Sequence, residues 1–267
     1  MSVQTLYTAA TGMDAQQTRL DVIANNLANL NTTAFKRARA NTEDLFYRQL
    51  QLPGMLDSAG EFNPTGVAVG LGARIQSTQT DFGQGAFEST NNPLDVAIEG
   101  EGFFQVADPS TGERQYTRAG NFSINANGSL VLGSASTGRL LDPPIQFPPD
   151  ATEISIASDG FVRYRQPGST QLQDAGQLEL AKFPNPEGLL KLGENLFSET
   201  DSSGAAISAI PGNDGAGSMR STFLEAANVE PVRELIDLIT TQRSFELNSQ
   251  AVQAGDQILQ LVATLRR

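Results

Sequence analysis

Ala24-Asn25-Asn26-Leu27-Ala28-Asn29-Leu30-Asn31-Thr32-Thr33-Ala34-Phe35-Lys36-Arg37 closes the first apolar repeat of the chain, with asparagines interleaved among its leucines. Upstream of it Leu6, Met13, Leu20 and Leu27 recur every seven positions, and Ala9, Ile23 and Leu30 lie three residues further on; only Gln16 interrupts the second row. That spacing predicts a helix over 1–33 carrying a coiled-coil seam. The polar run Asn29 to Thr33 ends it, because Asn and Thr compete for backbone hydrogen bonds. The far end repeats the pattern. Asn228 is placed as an N-cap, Pro231 suits a first turn, and Leu238, Phe245, Val252 and Leu259 again recur by seven.

Between these ends the periodicity changes. A short helical continuation is expected through Phe35, Leu45, Phe46 and Leu50, stopping at Pro53-Gly54. Val67 to Ile75 alternates and reads as one extended, glycine-softened strand. From Asp95 to about Phe183 short alternating runs are separated by turn residues: Phe103–Val106 is expected to pair with Arg114–Thr117, and Phe122–Ile124 with Leu130–Leu132 across Asn127-Gly128. Further strands are expected at Glu153–Ile156, Phe161–Tyr164 and Gln177–Ala181, and a Gly/Ser/Ala-rich connection at Ser198–Ser218. The fold class is therefore α+β: N- and C-terminal coiled-coil helices flanking an inserted antiparallel β domain, with an extended β-rich connecting stretch. The expected division is 1–34 with 228–267 as the helical, polymerising part, 35–92 with 198–227 as the connecting region, and 93–197 as the outer β domain.

Composition excludes several classes of chemistry. The 267 residues include no Cys, His or Trp, which removes thiol nucleophiles, imidazole acid–base catalysis, disulfides and nearly every zinc site. The net charge of -12 is concentrated in the middle of the chain: residues 81–220 hold 8 basic and 18 acidic side chains, while the ends are almost balanced. An acidic middle without clustered Lys or Arg argues against nucleic acid and anionic lipid. Glu99 and Glu101 would lie about 6.5–7 Å apart on one strand face, near the spacing of an inverting glycosidase pair, but exposed acids are ordinary on a solvated surface. Gly70-Leu71-Gly72 and Gly100-Glu101-Gly102 lack a third glycine and a following helix, so they are turn glycines. No enzyme, metal or cofactor is expected. Neither a cleaved export signal nor an 18-residue apolar run is visible, and composition by itself points to the cytoplasm.

Helical seams of this kind need partners, since isolated helices are marginal in water. The pattern leaves that partner open between the other end of the chain, other copies, or both. Gln16, Asn248 and Gly255 stand where a simple two-helix hairpin favours Leu or Ile, which shifts the expectation toward register-specific packing among many copies. If each end meets a different surface of a neighbour, the contact is heterologous and an open helical polymer follows.

Four blocks in order carry a family resemblance. Ala24–Arg37 resembles the N-terminal signature of bacterial flagellar axial proteins, the rod and hook components. Pro93-Leu94-Asp95-Val96-Ala97-Ile98-Glu99-Gly100-Glu101-Gly102-Phe103-Phe104 is similar to the block that opens their β domain. Tyr116–Phe122 followed by Asn127–Val131 is similar to the next, and Asn228–Pro231 through Gln242–Glu246 to the C-terminal signature. The insertion at 47–84 and the single β domain are most like the distal-rod members, with hook or proximal-rod members as the alternative and a β-rich binding module as a distant one. The resemblance implies a structural subunit that polymerises into a hollow, rigid shaft carrying torque from motor to hook. It also implies export through the flagellar type III apparatus without cleavage, and a place in the rod crossing the periplasm. The implied partners are further copies of itself, proximal rod proteins, the hook protein and a surrounding ring, with no membrane insertion. On this basis the expected subunit-interface residues are Leu6, Met13, Leu20, Ile23, Asn25, Asn26, Leu27, Leu30, Asn31, Phe35, Leu238, Phe245, Asn248, Val252, Leu259 and Val262, with Asn25, Asn26 and Asn31 fixing register. The 47–84 stretch is expected to wedge between neighbours and suppress bending. One departure stands out: Ala34 occupies a position where the family often has Gly, which puts in doubt any turn that needs positive φ there.

Overall fold

The computed structural model describes residues 3–55, 62, 64–133, 138–168, 171–213 and 215–265, and the chain folds as two units. One comprises Met1–Ala28, Ala38–Thr80 and Glu230–Arg267; the other comprises Asn29–Arg37 and Asp81–Val229. The stretch expected as one connecting region, 35–92, is thus shared between them.

In the first unit helix α1 spans Val3–Ala28 and helix α2 spans Pro231–Leu265. The chain after α1 does not continue as a helix. Ala38–Asp44 is a strand paired antiparallel with Ala73–Thr80, and Tyr47–Gln51 pairs with Val67–Gly70. The apolar residues that suggested a helix, Leu45, Phe46 and Leu50, are too few and too widely spaced to form a buried stripe, and ladder pairing outweighs their weak propensity. The expected single strand over 67–75 is broken at Gly72, which takes φ 129 and sets the ribbon Tyr47–Gly70 off from the paired strands below it. Leu45 N–H donates to Gly72 O at 2.8 Å across that neck.

In the second unit a nine-stranded sheet runs in the spatial order 190–193, 196–198, 114–117, 103–107, 139–141, 130–132, 122–124, with 180–182 joining 103–107 to 207–209. A three-stranded sheet (153–156, 161–165, 173–177) and two two-stranded ladders (96–99 with 218–221; 87–89 with 223–225) complete it. The expected hairpins over 103–117 and 122–132 form, whereas Gln177–Ala181 is divided between two strands and the 198–218 connection contains strand 207–209. Successive side chains of a strand face opposite ways, so Phe103 and Phe104 serve two cores. Phe104 joins Val96, Ile98, Val106, Leu130 and Leu180 in the main one. Phe103 joins Tyr116, Phe183 and Phe197 in the other, with edge-to-face ring pairs at 4.8–5.9 Å. Gly120 is obligatory here: a Cβ would lie 1.7 Å from Val96 O, where the backbones of the two segments cross.

Segment 29–37 is held to this β unit by the side chains of Glu225 and Asn228. Glu225, fully enclosed, accepts from Lys36 Nζ at 2.6 Å, from Gly85 N–H at 2.9 Å and from Arg118 Nε at 3.1 Å. Lys36 Nζ also donates to Gly83 O at 2.8 Å, and Arg118 Nη2 to Gly100 O at 2.8 Å. Asn228, expected as an N-cap, instead accepts from Arg37 N–H at 2.7 Å and donates to Asp81 O at 2.8 Å and Gly83 O at 3.0 Å. Ala34 takes φ 57, the conformation in doubt from its sequence; its N–H donates to Glu225 O at 2.7 Å and its methyl is buried in the main core. The left-handed conformation costs about 1–2 kcal/mol, which burial of the methyl offsets in part.

Two outcomes follow for stability. Glu225→Gln leaves two buried cations without their carboxylate and is expected to cost about 3–5 kcal/mol in urea unfolding. Burial, and secondarily Arg118, lower the Lys36 ammonium from its ordinary 10.5, with Glu225 opposing. In the window between the lowered folded value and 10.5 the unfolded chain binds the extra proton, so stability rises with pH there, and Lys36→Met removes that rise. Tyr116, pushed up to about 12 mainly by burial, acts oppositely: its unfolded phenol ionises first, so stability falls between 10.0 and about 12. Melting temperatures of wild type and Lys36→Met compared below pH 10 isolate the lysine.

Candidate polymerisation interface

The two helices pair within one chain and run antiparallel, as three contacts show. Leu6 meets Gly255, Gly12 meets Asn248, and Asn26 meets Glu234. On α2 the inward residues are Glu234, Leu238, Thr241, Phe245, Asn248, Val252 and Gly255, which alternate steps of four and three. This is the heptad seam predicted from sequence, satisfied here by α1. The other side of α1 packs on strands Ala38–Asp44 and Ala73–Thr80.

Two of the three seam residues that looked unsuited to a hairpin, Asn248 and Gly255, have specific places in it. A Cβ on Gly255 would lie 2.4 Å from Leu6 Cδ2, so the glycine makes room for the leucine. A Cβ on Gly12 would sit 3.1 Å from Asn248 Nδ2, so the small residue opposes the amide. Asn26 is 1% exposed and ties three elements together. Its Oδ1 accepts from Ala38 N–H at 3.0 Å, and its Nδ2 donates to Ala38 O at 2.8 Å and Glu234 Oε2 at 3.2 Å. It therefore fixes the register of α1, α2 and the first strand inside the chain.

The other expected interface residues fall into three groups. Ile23 is buried, and Leu6, Met13, Leu20, Leu27, Leu238, Phe245, Asn248 and Val252 are half-buried in the first unit. Leu30 and Phe35, also half-buried, belong to the second unit, where Lys191 Nζ lies 5.7 Å from the Phe35 ring centroid. Asn25, Asn31 and Leu259 are exposed; the Val262 side chain lies outside the described residues.

Sequence periodicity missed the outer face. Val232 is 71% exposed, and Leu235, Ile236, Ile239, Leu247, Ile258 and Leu261 are exposed with it, on the side of α2 turned away from α1. The signal was present as a second apolar row offset by half a turn from the heptad seam. At 35 residues against 26, α2 is also the longer helix. A second apolar surface stands on the ribbon 47–70, where Phe46 at its base is 87% exposed and Tyr47, Leu50, Val67 and Val69 are exposed too. Two strands alone do not form a stable independent unit. Among the described residues no helix is long and apolar enough to cross a membrane, and no group of three acidic side chains is arranged to hold a metal ion.

Asn26→Leu removes the pairing of both Ala38 backbone groups and is expected to lower stability by about 2–3 kcal/mol. Urea unfolding followed by circular dichroism measures it, and an unchanged midpoint would remove Asn26 as the register-setting side chain.

Three family profiles match along the chain: "Flagella basal body rod protein" over residues 6–36, "Flagellar hook protein FlgE/F/G D1 domain" over 97–164, and "Flagellar basal body rod FlgEFG protein C-terminal" over 220–265. The first and last cover the paired helices, and the middle one covers the centre of the β unit. Among similar proteins, the flagellar basal-body rod protein FlgG of Caulobacter vibrioides is 45% identical over 99% of this chain and 100% of its own length. That of Borreliella burgdorferi is 42% identical over 99% of both chains, and that of Bacillus subtilis 37% identical over 99% of this chain and 100% of its own. With end-to-end similarity at these identities, the chain belongs to the flagellar basal-body rod protein family.

Proposed function

We propose that this protein is a structural subunit of the distal flagellar rod, polymerising into a hollow, stiff shaft that carries torque from the motor to the hook. The observation that carries the polymer reading is the outer face of α2: a helix already packed through one side presents a second apolar patch to solvent, densest at Val232, Leu235, Ile236 and Ile239. Patches of this kind on an otherwise polar monomer mark interaction surfaces. A neighbour that meets this face with a different surface of its own, such as the ribbon, docks heterologously, and the assembly stays open. The partners are further copies of this chain, with proximal rod and hook proteins at the ends of the shaft and a surrounding ring outside it. The β unit, which contains most of the excess acid, suits the solvated outer wall.

Within this reading the ribbon supplies stiffness. Strand Ala73–Thr80 is bound to Ala38–Asp44 and packs with α1, so the separable wedge is Tyr47–Gly70 and not the whole of 47–84. Its exposed Leu50, Val67 and Val69 bury themselves between neighbours, filling gaps that would otherwise allow bending.

Two experiments test this. Ile236→Asp with Ile239→Asp leaves the monomer's helix pair intact, because both side chains point to solvent. It is expected to abolish filaments seen by electron microscopy after concentration, with unchanged monomer melting; filaments of normal length would refute the docking face. Deleting 47–70 while keeping the Leu45–Gly72 neck is expected to leave polymers that are measurably more curved. A shaft as straight as wild type would remove the wedge role.

A further inference from the structure

We propose that a cavity of about 220 Å³ beside Arg118, in the β unit, is a binding site for a small carboxylate with an apolar body. Phe82, Phe103 and Phe183 line it, with Arg118, Lys182 and Glu101 as its charged groups. Cavities of about 150 Å³ with aromatic and aliphatic walls accept a benzene ring, so the space holds a ring or short alkyl chain with its acid group.

The charge arrangement selects the acid. Arg118 is only 5% exposed; its Nε is committed to Glu225 and its Nη2 to Gly100 O and Ile98 O, and Nη1 takes part in none of these bonds. The guanidinium carbon lies over the Phe103 ring, 5.9 Å from its centroid, within reach of a cation–π attraction. Lys36 and Arg118 share the single buried carboxylate of Glu225, with Asp81 a weaker influence on Lys36, and the lysine still has its ammonium lowered. At the rim Lys182 Nζ donates to Gly215 O at 2.8 Å and stands 3.5 Å from Glu101, whose side chain is mostly in solvent. That rim pair is long and screened, so the lysine is available to a ligand. One guanidinium nitrogen and one ammonium, with Glu101 opposing, suit a monoanion better than a phosphate dianion.

The carboxylate has two possible sources: a free small acid, or an acidic side chain of a second copy, since this chain has 30 acidic against 18 basic residues. The test uses sodium benzoate and its neutral counterpart benzyl alcohol, titrated into folded, unassembled protein and followed by amide NMR shifts. Benzoate is expected to bind about tenfold more tightly than the alcohol, as a charge-assisted contact requires. Lys182→Ala is expected to weaken benzoate several-fold and Glu101→Gln to tighten it, both without effect on the alcohol. Equal affinity for the two probes, or benzoate affinity unchanged in both variants, overturns the site. Repeating the titration on assembled polymer identifies the source: retained binding means a free ligand, and lost binding means that a neighbour's carboxylate already fills the cavity. Because the first titration uses monomer, its outcome is independent of whether the chain polymerises.

Discussion

A buried carboxylate with two cations and a backbone amide around it is the constraint on which the β unit's chain path depends. The chain passes between its two units four times, after residues 28, 37, 80 and 229. Near three of those points lie groups that Glu225 and Asn228 collect: Lys36 and Arg37, the 81–85 backbone, and the 225–228 segment itself. A desolvated ion cluster of this kind adds little net stability compared with an apolar substitute, but each member is costly to lose once the others are present. Its value lies in specificity, since only one arrangement of the three segments satisfies all these donors and acceptors at once.

The helix pair is specified by the same kind of logic on a smaller scale. Heptad spacing says that two helices pack, not where along each other they stop. Gly255 accepting Leu6, Gly12 opposing Asn248 and Asn26 reaching Ala38 and Glu234 set that offset. The apolar rows then divide: the seam packs within the subunit, and the outer row of α2 stays in solvent.

Much of this was legible in the residues. The two heptad rows and the Asn127-Gly128 hairpin follow from local patterns, and both appear. The 38–51 stretch was misjudged because its strands are stabilised by partners at 67–80, a pairing that no local pattern encodes. The same limit explains Asn228, whose cap-like position concealed a role spanning segments nearly 200 residues apart. Of the asparagines expected to fix register, Asn26 meets Ala38 and Glu234 of its own chain; whether such a partner is the chain itself or a neighbour depends on the offset between helices, which spacing does not give. Nothing in the local pattern around Lys36 or Arg118 pointed to the carboxylate they share, because it lies far along the chain at Glu225.

The ribbon at 47–70 has a further consequence before any shaft exists. It is a short two-stranded ladder with open backbone edges and valine, leucine and aromatic side chains in solvent. Such an edge is a template for indiscriminate strand pairing. A pool of finished, folded monomers would therefore be prone to aggregate, and the ribbon proposed above as the stiffening wedge makes prolonged storage of the free subunit hazardous. A chain with this ribbon is best left unfolded until it reaches the growing end.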